Sequence, residues 1–329
     1  MMSQPTSPCP AFPPSPSPAL PPSSSPTLPP SSTPALPPGT EAGLPAVVLV
    51  HYGAPELTRA CLANLAALEP EPHRVVVVDH GPGPGLAAAL AGVHPRCTLL
   101  ANPANPGFGA GCNQGADWAF GAGAEAVWFL NNDATLERPT LGPLLALARS
   151  HPQVALWGTQ QRDGDRVLGA DQQPPWYSGG RVVVPAGLPS GCRQLQARES
   201  LSGASILVTR SQWQRLGPWP ADLFLYLEDA VWCLRAHAMG LPVALVELPV
   251  RHPRSSTIGR RSPLSIFYGV RNQLRLHAQL WPGARAARFA MALHLLQKRL
   301  FQGRWHLLGH TLRGIRAGLR GQTGRDPRY

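Results

Sequence analysis

The sequence predicts a doubly wound α/β protein with a mostly parallel sheet, and three observations carry that prediction. Residues 46–51 (AVVLVH) and 74–79 (RVVVVD) are continuous β-branched runs, as expected of strands buried on both faces of a parallel sheet. Between them, Leu57, Cys61, Leu65 and Leu68 are spaced by four, four and three, an amphipathic helix over 55–68 that completes a βαβ unit. The alternation then recurs through a helix at 86–91, a strand at 98–100, a helix at 110–120 and a strand at 126–131. In this fold class ligands sit beyond the carboxyl ends of the strands.

The flanks differ in texture from this core. Of the chain's 39 prolines, 15 fall in the first 44 residues, and residues 17–40 are three near-copies of an uncharged octapeptide (SPALPPSS, SPTLPPSS, TPALPPGT). Proline fixes φ and donates no backbone hydrogen bond, so residues 1–44 are expected to be a disordered or polyproline-II-like tail. Such a tail is either a tether or a ligand for a proline-binding module. The globular domain is expected over 45–280, a length compatible with one large domain or two small ones.

Charge separates the other flank. Residues 1–250 carry 13 Arg and 17 acids, whereas residues 251–329 carry 16 basic residues and one acid, Asp326. That asymmetry points to an anionic partner at the basic end. Residues 281–329 form a basic helical extension in which Trp305, Leu308, Leu312, Ile315 and Leu319, spaced three, four, three and four, make an apolar seam among Arg304, Arg313, Arg316 and Arg320. An earlier stretch adds Phe289, Leu293, Leu296 and Leu300 with Arg285, Arg288, Lys298 and Arg299. One reading lays these helices on an anionic membrane surface; the other packs them on the globular domain with the arginines solvated. Gly303, Gly309, Gly314 and Gly318 are expected to weaken the helix. No nucleic-acid-binding motif accompanies the arginines, so nucleic acid is not an expected partner.

The six cysteines (Cys9, Cys61, Cys97, Cys112, Cys192, Cys233) form no CxxC pair, so neither a zinc ribbon nor a disulfide framework is indicated. The first basic residue is Arg59, and no run of about 18 apolar residues occurs. The expected location is cytoplasmic, peripheral on the inner face of the cell membrane.

The strand ends hold polar residues: His51-Tyr52-Gly53, Asp79-His80-Gly81 and Asn131-Asn132-Asp133. One carboxylate at a strand end is as readily a helix cap as a ligand, but several at one edge mark a site. The stretch 105–115 (NPGFGAGCNQG) contains G-x-G-x-G but neither the dinucleotide fingerprint nor a Walker loop; a turn of this kind feeding a helix offers amides to an anion. Glu228 and Asp229 open a further helix, and adjacent carboxylates on a helix cannot face the same way.

Taken in order from Val47 to Leu280, the pieces V-L-V-H-Y, V-V-V-V-D, N-P-G-F-G-A-G-C-N-Q-G, W-F-L-N-N-D-A-T-L, S-G-A-S-I-L-V-T-R, F-L-Y-L-E-D-A-V-W-C-L-R-A, R-H-P-R-S-S and Y-G-V-R-N resemble family two of the inverting glycosyltransferases. That family has the A-type nucleotide-diphospho-sugar transferase fold, and the likeness is greatest to its rhamnosyltransferase-like bacterial branch. The resemblance implies a catalytic domain over 45–280 that moves a sugar such as rhamnose from a nucleotide diphosphate donor to a glycan or lipid-linked glycan acceptor. It implies a nucleobase held by Asp79 and stacked on Tyr52, with Gly107, Asn113 and Asn131 also on the nucleotide sugar. It implies a divalent metal, Mg or Mn, anchored by Asp133 as the acid of a D-x-D motif and reached by His252. It assigns Asp229 as general base, with Glu228 as a second acid on the acceptor side.

The chain also departs from the family pattern. Asp79-His80-Gly81-Pro82-Gly83 stands where V-V-D-N-x-S continues, Glu228-Asp229-Ala230-Val231 where E-D-x-D is common, and Gly53 where Asn is common. A sugar-nucleotidyltransferase on a similar sheet would carry a basic G-x-G-T-R-like loop after the first strand, and residues 51–55 (HYGAP) hold no Arg or Lys. Val231 suggests a further alternative, a non-catalytic relative that binds glycan or nucleotide sugar.

Overall fold

The β-branched runs become the centre of the sheet. In the computed structural model, which describes residues 43–69, 73–81, 85–172, 188–252, 262–281 and 283–329, strand β1 (Ala46–His51) is followed by α1 (Pro55–Leu68), β2 (Arg74–Asp79), α2 (Leu86–Leu90), β3 (Cys97–Ala101), α3 (Phe108–Gly121) and β4 (Ala126–Leu130). The octapeptide repeats, Pro82, Gly83 and the Arg254-Ser255-Ser256 part of R-H-P-R-S-S lie outside the described residues. The chain continues through β5 (Thr135–Leu136), α4 (Leu141–Ser150), β6 (Leu156–Asp163), β7 (Arg166–Leu168), β8 (Asp171–Gln172), β9 (Cys192–Gln194), β10 (Glu199–Ser200), β11 (Ser205–Thr209) and α5 (Arg210–Leu216). Then follow α6 (Glu228–Ala238), β12 (Val243–Arg251), α7 (Pro263–Leu280), α8 (Arg285–Phe301) and α9 (Leu308–Leu319).

The main sheet runs β3-β2-β1-β4-β11-β6-β12-β5. Strands β3, β2, β1 and β4 are mutually parallel, β6 pairs parallel with β12, and β11 is antiparallel between β4 and β6. Chain order reverses at β1, so the carboxyl ends of β1 and β4 flank a topological switch point where a crevice opens. The continuous apolar runs have their cause in the two covered faces. Val48, Val76, Val127 and Phe129 pack with Cys112, Ala116, Trp219 and Trp232 on one side, while Val47, Leu49, Val75 and Val77 pack with Leu62, Leu65 and Leu144 on the other. Burying one such side chain contributes about 1.5–3 kcal/mol.

Helix α3 starts at Phe108 rather than at residue 110, and Gly107 explains the position. Its φ is +108°, and a Cβ there would lie 2.2 Å from the Phe224 carbonyl oxygen. Only glycine satisfies both the backbone angle and the approach.

At the basic end, α9 packs against α7 through Thr311, Gly314, Ala317 and Gly318. A Cβ on Gly314 would sit 2.8 Å from the Phe267 carbonyl, and one on Gly318 2.8 Å from that of Arg271. These two glycines therefore do not simply weaken the helix, as the sequence suggests; they let it approach α7. The apolar seam points largely elsewhere: Trp305 is 65% exposed, Leu312 51% and Leu319 46%, while Ile315 touches the α7 cluster. Gly314→Leu should lower the unfolding free energy by about 1–3 kcal/mol through overpacking. Gly309→Ala, where open space surrounds the position, should be neutral or stabilising; denaturant titration of the full chain reads both.

Candidate active site

A cavity of about 400 Å³ opens at the switch point. Tyr52, immediately after β1, stands on its wall with 41% of its surface exposed. Asn131, Asn132 and Asp133 follow β4, fixed by the Asn131 amide donating to Ala204 O at 2.9 Å and a turn from Ala134 N to Asn131 O at 3.0 Å. His252 follows β12, its amide donating to Arg162 O at 2.9 Å. The triplet does not act as one unit. Asn132 turns inward and donates to Thr58 Oγ1 at 2.8 Å, whose hydroxyl also meets His51 Nδ1 at 2.7 Å.

Asn131 and Asp133 instead converge on His252. Its Nε2 lies 2.9 Å from Asn131 Nδ2 and 3.2 Å from Asp133 Oδ1, with the two charged-partner side chains 14% and 6% exposed. Asn131 Oδ1 and His252 Nδ1 are buried without a hydrogen-bond partner among the described residues. No group of three or more His, Cys, Asp or Glu gathers as a metal cluster among those residues. The pair nevertheless fits one hard cation: cis ligands at about 2.1 Å from an octahedral ion are themselves about 3 Å apart, near the 3.2 Å between Nε2 and Oδ1. The other positions would then fall to substrate oxygens and water.

Two of the expected nucleotide contacts, Asp79 and Asn113, have partners within the protein. Asp79 is not on the cavity wall; its Oδ1 accepts the Gly81 amide at 2.8 Å, and His80 takes the wall position. Burial pushes the His80 pKa down to about 4, so that imidazole is neutral. Asn113 is spent on structure, donating to Trp219 O at 3.0 Å and accepting from Trp219 N at 2.8 Å. Gly107 does line the cavity, and the Phe108 amide at the start of α3 donates to Phe224 O at 2.9 Å.

The segment before Glu228 is strained. Phe224, Tyr226 and Leu227 have φ of 63°, 71° and 72°, a region that costs a non-glycine residue roughly 1–3 kcal/mol. Asn272, fully buried on α7, holds it in place by donating to the carbonyls of Leu223, Leu225 and Tyr226 at 3.1, 2.9 and 2.9 Å. Arg271 adds a bond to Leu223 O at 2.6 Å. These two residues belong to the Y-G-V-R-N piece, where a polar pair within a buried helical face is their signal.

The strained loop delivers the two acids at the start of α6. Asp229 accepts Gly203 N at 2.8 Å and Ala230 N at 2.7 Å. Burial nevertheless pushes its pKa up to about 6, the backbone donors opposing the shift and Asp171 adding to it. Glu228 is 6% exposed, and burial followed by the neighbouring Asp229 charge pushes it to about 8. Neither acid is among the residues lining the cavity, whereas Ser202, Tyr226 and Asp171 are. Near neutral pH the arrangement keeps Glu228 protonated and Asp229 ionised, which is what a base beside a neutral acid requires.

Asp171 has no local pattern to mark it. It reaches the cavity because β8 pairs with β10, Ser200 opposite Asp171. Arg325 and Tyr329 are likewise brought to the wall by packing of the C-terminal residues on α7.

Asp133, His252 and Tyr52 line one crevice at the switch point of an α/β sheet, and with the comparisons that follow they define a glycosyltransferase acting with a nucleotide sugar. Residues 46–194 match the model of Glycosyl transferase family 2, and the fold is of the A type seen in nucleotide-sugar glycosyltransferases. Over 239 residues, covering 66% of this chain and 78% of the relative, it is 28% identical to N-acetylglucosaminyl-diphospho-decaprenol L-rhamnosyltransferase from two strains of Mycobacterium tuberculosis. Its fold is similar to that of the mannosyltransferase PcManGT from Pyrobaculum calidifontis, solved in complex with GDP-Man and Mn²⁺, with a TM-score of 0.50 at 14% identity over 84% of this chain and 87% of that one.

Proposed function

We propose that the protein transfers a hexosyl group, rhamnose foremost, from a nucleotide diphosphate donor to a glycan or lipid-linked glycan acceptor, by direct displacement with inversion. The observation that carries the reading is the convergence of Asp133, His252 and Asn131 on one cavity with Tyr52. The likeness to a rhamnosyltransferase named for a decaprenol-linked substrate supports the sugar and the acceptor class. Tyr52 offers a face for the base. Asp133 and His252 would hold a divalent cation, which supplies charge neutralisation of the departing diphosphate. Asp229, ionised above about pH 6, takes the proton of the acceptor hydroxyl. Ser202 and Tyr226, which line the cavity, position that acceptor.

Incubation with a panel of nucleotide sugars and Mn²⁺ or Mg²⁺ tests the reading. The expected product is a nucleoside diphosphate together with a glycosylated acceptor, and chelation should abolish it. Release or consumption of pyrophosphate would indicate a sugar-nucleotidyltransferase instead, and donor binding without turnover a binding relative.

We also propose that the protein works at the inner membrane face, held by α8 and α9. No helix among the described residues is long and apolar enough to cross a membrane. Phe289 (68% exposed), Phe301 (89%), Trp305 and Leu312 offer apolar insertion, and the ten basic residues of 281–329 offer attraction to anionic lipid, each worth up to about 1 kcal/mol. Truncation after Leu280 would strip α9 from α7, so substitution is the cleaner test. Sedimentation with anionic vesicles at high salt should retain the full-length protein and lose the Phe289→Ser, Phe301→Ser, Trp305→Ser variant, because salt screens charge but not the apolar contact. Equal sedimentation of the two would refute membrane insertion through this face.

A further inference from the structure

Residues 324–329 return from α9 to the cavity and are held there by buried groups. Gly324 N donates to Asp222 O at 2.9 Å, and the Arg271 guanidinium, 1% exposed, donates to Gly324 O at 2.6 Å. The Asp326 amide donates to the hydroxyl of fully buried Tyr268 at 2.9 Å. Tyr329 stacks on Phe267 at 4.5 Å and 19° and bonds His310 Nδ1 at 2.5 Å. The backbone on both sides of Arg325 is thus fixed, and its side chain lines the cavity that also contains Asp133 and His252.

The charges in this segment are unequal in their engagement. Arg328 is paired with Asp326 through Nε at 2.9 Å and Nη2 at 2.7 Å. Arg325 forms no ion pair with any described residue. Among the described residues lining the cavity it is the one arginine or lysine, in a wall that also holds the carboxylates Asp133 and Asp171. A guanidinium presents a planar fork of donors that matches phosphate oxygens.

We propose that Arg325 binds a diphosphate group of the substrate, and that residues 324–329 are a wall of the active site rather than the end of a detached extension. The inference rests on the glycosyltransferase reading. Two substrates can bring that group: the nucleotide sugar donor and an acceptor linked to lipid through pyrophosphate.

The experiment compares full-length wild type, Arg325→Ala and Arg325→Lys. It measures calorimetric binding of nucleoside diphosphate with Mn²⁺ and the KM of donor and acceptor separately. Arg325→Ala should weaken one arm about 10- to 100-fold, the range for losing a hydrogen bond to a charged group. Arg325→Lys, which keeps charge but not the fork, should fall between. Loss of nucleoside diphosphate affinity and a raised donor KM identifies the donor diphosphate; a raised acceptor KM alone identifies the acceptor pyrophosphate. Thermal unfolding should be unchanged, because the main chain and not the Arg325 side chain carries the packing. Unchanged affinity and unchanged KM for both substrates would overturn the assignment while leaving the glycosyltransferase reading intact. A wild type that neither binds nucleoside diphosphate nor turns over any donor would overturn both.

Discussion

Asp229→Asn should lower turnover about 10²- to 10⁴-fold, the usual contribution of a positioned general base, with donor affinity left in place. Asparagine keeps the volume and can still accept an amide bond from Gly203 or Ala230, so the α6 N-terminus should hold. The pH profile gives an independent reading. Burial raises the Asp229 pKa to about 6, so the group is protonated and inactive as a base below that pH and ionised above it. Turnover of the wild type should therefore rise with pH about tenfold per unit below 6 and flatten above it, and the limb should vanish in the variant's residual activity. Near-normal turnover by Asp229→Asn would pass the role to Asp171, which lines the cavity itself.

The second large effect is expected at Asp133. Replacing it with alanine removes the carboxylate 3.2 Å from His252 Nε2, so metal-dependent affinity for nucleoside diphosphate should disappear in calorimetry. The fold should survive, because the residue follows β4 and contributes no side chain to either hydrophobic layer. Unchanged metal-dependent affinity in a folded variant would remove Asp133 and His252 from the metal assignment.

The parts of this molecule that were legible in its sequence are those governed by local periodicity. Val47 to Val50 and Val75 to Val78 are apolar at every position because both faces of their strands are covered, and a continuous run is visible without any partner being known. The spacing of Cys61 and Leu65 marks α1 in the same way. Asp133 and His252 were legible only through motif resemblance, since they lie 119 residues apart and meet through the antiparallel pairing of β5 with β12, Thr135 opposite Arg251. Asn113 shows the limit of that route: its place in a glycine-rich motif suggested a nucleotide contact, but its amide clamps the Trp219 backbone. Asp171, Arg325 and Tyr329 had no local signal, because strand pairing and tail packing bring them to the cavity.

Periodicity did not show which face of α9 meets α7. The repeat of Trp305, Leu312 and Leu319 drew attention to the large apolar residues, whereas the contact with α7 is made by Thr311, Gly314, Ala317 and Gly318. Close approach of two helix backbones selects small residues, which carry little hydrophobic signal, and this left the larger ones exposed.

Nucleoside diphosphate and metal are expected to meet at the crevice between β1 and β4. A crystal structure of the full chain soaked with Mn²⁺ and the nucleoside diphosphate of its donor tests it most directly. The predicted result is an anomalous Mn²⁺ peak beside Asp133 Oδ1 and His252 Nε2, with the base against Tyr52. A metal or nucleotide bound away from Asp133 and Tyr52, or a nucleotide in the cavity with no metal at Asp133, would contradict the account.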